Sequence, residues 1–219
     1  MLVDPLEVVE RCDTPRGEIQ LQRRGCEYEL ISNGTFLMAT YNGESEKRLV
    51  RSAIDACAKD GMTLLIGGLG VGYSLGEAVH HPQTGQVTVV EIEDQVITWN
   101  RTYLAPFSGN ALSHPKTRVV CADLLKWISE TDETFDALCF DIDNGPDWTV
   151  FQNNESLYSP EGLKALTRLL NPGGVMSFWS ASASPAFKAL LESRFAGVEE
   201  IRIEQPRNVE PDVVYIAKT

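Results

Sequence analysis

Four groups of residues have types and spacing that fit ligand chemistry. Gly67-Gly68-Leu69-Gly70-Val71-Gly72 follows the nearly continuous apolar run 62–66, as a turn leaving a doubly buried strand would. A glycine-rich strand-to-helix turn lets backbone pass close to a ligand and aims free N–H groups at it; a merely tight turn is the plain alternative. The dinucleotide fingerprint is GxGxxG, whereas Gly68, Gly70 and Gly72 read GxGxG and Tyr73 follows. A pyrophosphate cradle is therefore not the best match. Glu91, in Val89-Val90-Glu91-Ile92-Glu93, lies about 20 residues beyond Gly70, where a Rossmann-type acid holds ribose hydroxyls. Read alone, it is also a solvated strand-end carboxylate. Asp123, in Cys121-Ala122-Asp123-Leu124, fits an acceptor for an adenine amino group or a helix N-cap, and the two roles can coexist. Asp141-Ile142-Asp143-Asn144-Gly145-Pro146 closes a fourth apolar run. Turn chemistry explains such residue types, but Asp141, Asp143 and Asn144 also face the crevice where open α/β sheets bind ligands.

The surrounding pattern positions these groups at strand ends. Runs 62–66, 86–92, Thr117–Cys121, 136–141 and 175–179 read as strands. Segments 72–79, 94–103, 161–170 and 185–195 read as helices, with a short one through Leu125 and Trp127. Asn171-Pro172-Gly173-Gly174 reads as a helix stop. Segments 198–203 and 213–217 complete a seven-strand count. Repeated βα units of this length imply a parallel, doubly wound, Rossmann-like sheet. The first 45 residues differ. Runs 18–23, Glu27–Ser32 and 35–41, with Asn33-Gly34 as a hairpin turn, predict a small antiparallel sheet. Ser45-Glu46-Lys47-Arg48 then opens a helix to about Lys59. The division expected is residues 1–45 as a small β subdomain and 46–219 as the ligand-binding domain.

The 219 residues suit one well-cored domain with an appendage. Formal net charge is −12. The nearest basic cluster, Arg23, Arg24, Lys47, Arg48 and Arg51, reads as solvated faces. Nucleic acid is thus an unfavourable partner, and small or cationic substrates are favoured. No apolar run approaches the roughly 20 residues of a membrane span, and the N-terminus does not read as a signal peptide. Five scattered cysteines without a CxxC pair fit a reducing cytoplasm; Cys121 and Cys139 read as buried thiols. His80, His81 and His114 lack metal-ligand spacing, so no metal is expected.

These residues resemble the spermidine synthase family within the class I S-adenosylmethionine-dependent methyltransferase fold. The resemblance runs from about Arg16 to the C-terminus and rests on IGGLGVG, VVEIE, ADLLKW, FDIDNGP, SLYSPEGL and LNPGGV in the family's order. It implies a homodimer, and a nucleoside site in which Gly67, Gly68, Gly70, Gly72, Glu91, Ile92, Asp123, Leu124 and Asp141 bind the donor. Glu91 would hold the ribose and Asp123 the adenine amino group. Three departures stand out. The family's loop reads GGGDGG, with aspartate where this chain has Gly70. Its DSSD run ends in aspartate where this chain has Asn144. Its Tyr-His-Glu run is replaced by Ser45-Glu46-Lys47-Arg48.

A loop aspartate repels the carboxylate of S-adenosylmethionine and favours the decarboxylated form. With Gly70 the repulsion is gone, and loop N–H groups are open to a carboxylate. The expected donor is therefore S-adenosylmethionine itself, with the decarboxylated form as the lesser alternative. Asp143 is the expected proton acceptor and Asn144 the expected orienting group. Tyr73, Trp148, Tyr158 and Trp179 are candidate walls able to face a sulfonium, with core or rim packing as the plain reading of each. The leading expectation is methyl transfer to a small-molecule acceptor, part of whose warrant is fold analogy. The alternative is aminopropyl or 3-amino-3-carboxypropyl transfer, including intramolecular cyclisation, releasing methylthioadenosine. A second alternative is a non-catalytic nucleotide-binding protein.

Overall fold

The computed structural model describes residues 4–142, 144–149, 152–205 and 210–219. Two sheets make the frame. Strands β1 (Leu6–Thr14), β2 (Gly17–Arg24), β3 (Glu27–Ser32) and β4 (Thr35–Ala39) form an antiparallel sheet in sequence order. The turn between β3 and β4 is the expected hairpin, with Asn33 and Gly34 at φ of 50° and 77°, the geometry that favours this dipeptide. Strand β1 was not anticipated. Its residues are mostly exposed or half-buried and its pairing with β2 shifts between Val8 and Glu10, so it carries no clean alternation to read.

Helix α1 (Glu44–Cys57) leads into the larger unit: β5 (Met62–Gly67), α2 (Tyr73–His80), β6 (Thr84–Glu91), α3 (Asp94–Arg101), β7 (Thr117–Cys121), α4 (Leu124–Glu130), β8 (Phe135–Phe140), α5 (Pro160–Thr167), β9 (Leu170–Ser180), α6 (Pro185–Glu192), β10 (Gly197–Ile203) and β11 (Asp212–Lys218). The seven strands lie in the order β10-β11-β9-β8-β5-β6-β7. The five from β7 to β9 are mutually parallel, and β11 and β10 add antiparallel pairings. This is the expected doubly wound seven-stranded sheet. Its strand order reverses between β5 and β8, which opens the crevice at their carboxyl ends.

Period-two alternation splits the core between the two faces. Leu64, Ile66, Val87, Val89, Ala137 and Cys139 join residues of α1, α2 and α3 in one cluster. Leu65, Val90, Leu138 and Phe140 join residues of α4, α5 and α6 in the other. Helix α1 contributes Leu49, Val50, Ala53 and Ile54, all fully buried.

Two expectations need correction. Asn171-Pro172-Gly173-Gly174 does not itself end a helix. Helix α5 stops at Thr167 and the run lies inside β9, where the register against β8 breaks between Phe135 and Ala137. Its proline and glycines are accommodated by that irregularity. Cys121 is exposed at the end of β7, whereas Cys139 is buried as expected. Among the described residues no helix is long and apolar enough to cross a membrane.

The two sheets are coupled through Glu10 on β1. Its carboxylate accepts from Trp99 Nε1 at 2.6 Å, Gln95 Nε2 at 2.8 Å and Tyr103 Oη at 3.1 Å. Trp99 is fully buried, so removing its acceptor strands an indole N–H away from water. Glu10→Ala is expected to cost about 1–3 kcal/mol of stability, read from urea midpoints. A loss within measurement error would show that the contact does not dock the sheet.

Candidate active site

The glycine loop leaves β5 at the crevice, and packing explains its spacing. Leu69 and Val71 are buried, while Gly68, Gly70 and Gly72 around them turn the chain at positive φ. Gly68 has φ of 91°, and a Cβ there would stand 2.2 Å from the Asp141 carbonyl oxygen. The loop therefore lies directly against the end of β8. Gly67 faces Leu124, whose Cδ2 would lie 2.6 Å from an added Cβ, and Gly72 caps α2. Gly70, at φ of 50°, is covered by Met38 from β4: an added Cβ would fall 2.6 Å from its Sδ.

Glu91 ends β6 and is 8% exposed. Its carboxylate accepts from Leu69 N at 2.9 Å and Glu93 N at 2.8 Å. Burial pushes its pKa up, and these backbone donors oppose the shift. Each oxygen keeps a further lone pair, so a ribose hydroxyl can be added without breaking the loop contact. Ile92 is half-buried, and its carbonyl accepts from Arg16 Nη2 at 3.1 Å. The same guanidinium grips Glu93 in a bidentate pair, at 2.6 Å through Nε and 2.8 Å through Nη2. The β1–β2 turn is thereby fastened over the end of β6. Asp123 is exposed and caps α4, its Oδ1 accepting from Lys126 N at 3.1 Å. The capping reading is realised, and Leu124 beside it is buried against the loop.

Beyond β8, Asp141 accepts from Ser74 Oγ at 2.9 Å, and the same hydroxyl lies 3.2 Å from the Glu46 carbonyl oxygen. Glu46, in the first turn of α1, is 5% exposed, and its carboxylate accepts from Ser45 Oγ at 2.9 Å. Burial first, and the charge of Asp141 second, push Glu46 up to about 8. Burial, with Asp212 and Glu91 adding repulsion, pushes Asp141 up to about 6, against the Ser74 hydrogen bond. Asp212, at the start of β11, is raised by burial and steadied by Ser45, Gln205 and Trp179. Glu46, Asp141 and Asp212 thus meet electrostatically at the carboxyl edge of the sheet, on the α1 face. Asn144 is half-buried in the following turn, its carbonyl accepting from Ala181 N at 3.1 Å. Asp143 lies outside the described residues.

The four aromatic candidates separate. Trp179 alone lies in this region; its Nε1 is buried near Asp212 without a fully formed hydrogen bond among the described residues. Tyr73 is buried, donates to the Thr40 carbonyl, packs on Gly43 and lies under Lys47 Nζ, 4.9 Å from the ring centroid. These contacts are packing contacts. Tyr158 is core on the opposite face, tilted against Phe178 and edge-on to Phe187, with its hydroxyl donating to the Ile142 carbonyl at 3.2 Å. Its part is to hold the backbone of the Asp141 turn. Trp148 is 62% exposed.

Sequence reasoning missed Glu46, Ser74, Asp212, Met38 and the Arg16–Glu93 pair as site-building residues. Two of them carry a signal. Glu46 falls on the i, i+3, i+4, i+7 stripe with Leu49, Val50 and Ala53. Asp212 falls on the same alternation as Val214 and Ile216.

Residues 47–191 match the family described as spermine/spermidine synthase domain. A polyamine aminopropyltransferase of Sodalis glossinidius is 34% identical over 114 residues, covering 51% of this chain and 37% of the relative. One from Escherichia fergusonii is 32% identical over 120 residues, covering 54% and 38%. The aligned part is thus little more than a third of the length of these relatives. Spermidine synthase from Thermotoga maritima superposes with a TM-score of 0.78 at 16% identity, over 96% of this chain and 72% of that one. A spermidine synthase in complex with the transition state analogue AdoDATO gives 0.77 at the same identity and coverage. The glycine loop, Glu91, Asp123 and Asp141 all fall within the matched span, and the chain belongs to the spermine/spermidine synthase domain family.

Proposed function

We propose that this protein transfers an aminopropyl group from decarboxylated S-adenosylmethionine to a primary amine of the polyamine class. The observation that carries this reading is the acid pair of buried Glu46 and half-buried Asp141, joined through Ser74 Oγ beside the glycine loop. The charge of Asp141 raises the pKa of Glu46, and that of Asp212 raises both, an unfavourable arrangement until a cation meets it. An alkylammonium does so, whereas a neutral methyl acceptor does not. Methyl transfer, the leading expectation from the sequence, finds no support among the relatives and gives way to its alternative.

The residues fit the nucleoside end of such a donor. Glu91 accepts hydroxyls from the end of β6, and Asp123 keeps an exposed carboxylate oxygen at the end of β7. The bound donor supplies a propyl carbon made electrophilic by its sulfonium. The acceptor nitrogen forms the new C–N bond as the C–S bond breaks, and the bonding pair leaves with sulfur on neutral methylthioadenosine. Asp141 and Glu46 hold a positively charged end of the amine, Ser74 fixes the Asp141 rotamer, and Asn144 orients. Asp143, on its position in the sequence alone, is proposed to take the proton released from nitrogen. Such a step rests on in-line approach and exclusion of water more than on covalent help. The expectation that loop N–H groups await a carboxylate is weakened by their engagement: Gly68 N meets Val90 O, Leu69 N meets Glu91, Val71 N meets Met38 and Gly72 N meets Leu69 O.

Incubation with decarboxylated S-adenosylmethionine and putrescine is expected to yield methylthioadenosine and an aminopropylated amine by mass spectrometry. Formation of S-adenosylhomocysteine from S-adenosylmethionine, with the decarboxylated donor inert, overturns the reading. Asp141→Asn is expected to lower kcat/KM by about 10- to 100-fold through loss of a charge-assisted contact.

The acid pair also predicts a pH dependence. Both groups have folded pKa values above the ordinary carboxylate range, so their contribution to stability is full below that range. It is lost as pH rises through about 6 for Asp141 and about 8 for Glu46. The melting temperature of the ligand-free protein is expected to fall between pH 5 and pH 9. Glu46→Gln is expected to remove the upper part of that fall, and a profile identical to wild type would count against the pair.

A further inference from the structure

Met38 lies on β4, in the sheet outside the nucleotide-binding unit, yet its side chain reaches the glycine loop. Its Sδ accepts from Val71 N at 3.0 Å and occupies the space beside Gly70. The loop cannot readily slide from under it. The Gly70 carbonyl is held by Asn100 Nδ2 at 2.8 Å, and Asn100 is itself buried on α3 and anchored to the Val96 carbonyl at 3.0 Å. The neighbouring Leu69 N–H is committed to Glu91 at 2.9 Å. Of the loop donors with a partner, Val71 N–H therefore has the weakest acceptor, a thioether, facing the side from which the N-terminal sheet covers the loop.

We infer that Met38 sets the donor specificity of the site. By filling the space beside Gly70 and taking the Val71 N–H, it closes the part of the loop that a donor's carboxylate would need, and so favours a sulfonium donor whose tail ends in an amine alone. The inference rests on the aminopropyl-transfer reading and deepens it. A carboxylate is a far stronger acceptor than a thioether, and a methionine side chain is adaptable. Exclusion is therefore a matter of degree: a carboxylate-bearing donor has to turn Met38 out of its packed position before gaining the N–H. A shorter side chain at position 38 removes that cost for one donor and leaves the other nearly unaffected.

The test is calorimetric titration of wild type, Met38→Ala and Met38→Leu with S-adenosylmethionine and with its decarboxylated form, the melting temperature of each variant being recorded alongside. Wild type is expected to favour the decarboxylated form. Met38→Ala is expected to shrink that preference by about 3- to 10-fold, the worth of one N–H contact made available, chiefly by strengthening S-adenosylmethionine. Met38→Leu, which keeps the bulk and loses the sulfur, is expected to retain the preference within about 2-fold, since volume-conserving swaps disturb packing least. The ratio of two affinities within one variant does not move with a general loss of stability. If Met38→Ala fails to fold, the Leu variant carries the test, and a preference reversed in it overturns the inference. An unchanged ratio in Met38→Ala overturns it too, as does a wild type that prefers S-adenosylmethionine. A wild type that binds neither donor overturns the aminopropyl reading and this inference together. Turnover of the decarboxylated donor by wild type with an unmoved ratio in Met38→Ala overturns the inference alone.

Discussion

The buried carboxylate of Glu91 constrains the site more than any other single group. An ionised side chain at a strand end, shielded from water, persists only with donors aimed at it. Here the donors are two backbone N–H groups from different segments, Leu69 in the glycine loop and Glu93 after β6. Satisfying Glu91 therefore fixes the path of the loop relative to β6. The loop in turn passes so close to the end of β8 that only glycine fits at position 68, against the Asp141 carbonyl. One hydrogen-bonding requirement thus ties the ends of β5 and β6 together, and one close packing contact extends the tie to β8. The groups proposed to meet nucleoside and acceptor inherit their separation from it.

The N-terminal sheet takes part in this arrangement. Glu10 receives three donors from the α3 region, Arg16 grips Glu93, Thr40 receives the Tyr73 hydroxyl and Met38 covers Gly70. An isolated exposed ion pair contributes little, but Arg16 and Glu93 form a fork-to-carboxylate pair that is largely shielded, with a further bond to the Ile92 carbonyl. Such geometry holds orientation as well as proximity. The sheet acts as a roof whose underside carries chemistry, and dividing the chain near residue 45 separates residues that act on the same loop.

The parts of this site legible in the sequence are those set by local rules. The run 62–66 reads as a doubly buried strand, Asn33-Gly34 as a hairpin, and GxGxG followed by an acid at Glu91 as a strand-end turn facing a carboxylate, because each follows from short patterns in the chain. Asp123 was open between cap and ligand contact, and its cap is visible. What was not legible depends on tertiary contact. Glu46 has a sufficient local reason to sit in the first turn of a helix, since acids favour that end of the dipole. That reason conceals its burial opposite Asp141. Met38 is one apolar residue on a short strand until the sheet folds over Gly70. Tyr158 has a type that fits a sulfonium, and a type does not say which face of the sheet a side chain joins. Cys121 ends an apolar run yet is exposed, because β7 is an edge strand.

The acidic balance of the chain, −12 overall, gains a local meaning from this geometry. Surface carboxylates cost little, but Glu46, Asp141 and Asp212 are drawn together where burial penalises charge and each charge penalises the next. Replacing such a group by an apolar residue of similar size would relieve the fold. Its retention is intelligible if the unfavourable energy is held for a cation that neutralises it. The arrangement then discriminates by charge: a dication offsets the repulsion and the desolvation together, whereas a neutral acceptor of the same shape leaves both in place. Local instability of the empty site and selectivity of the filled one are two readings of the same carboxylates.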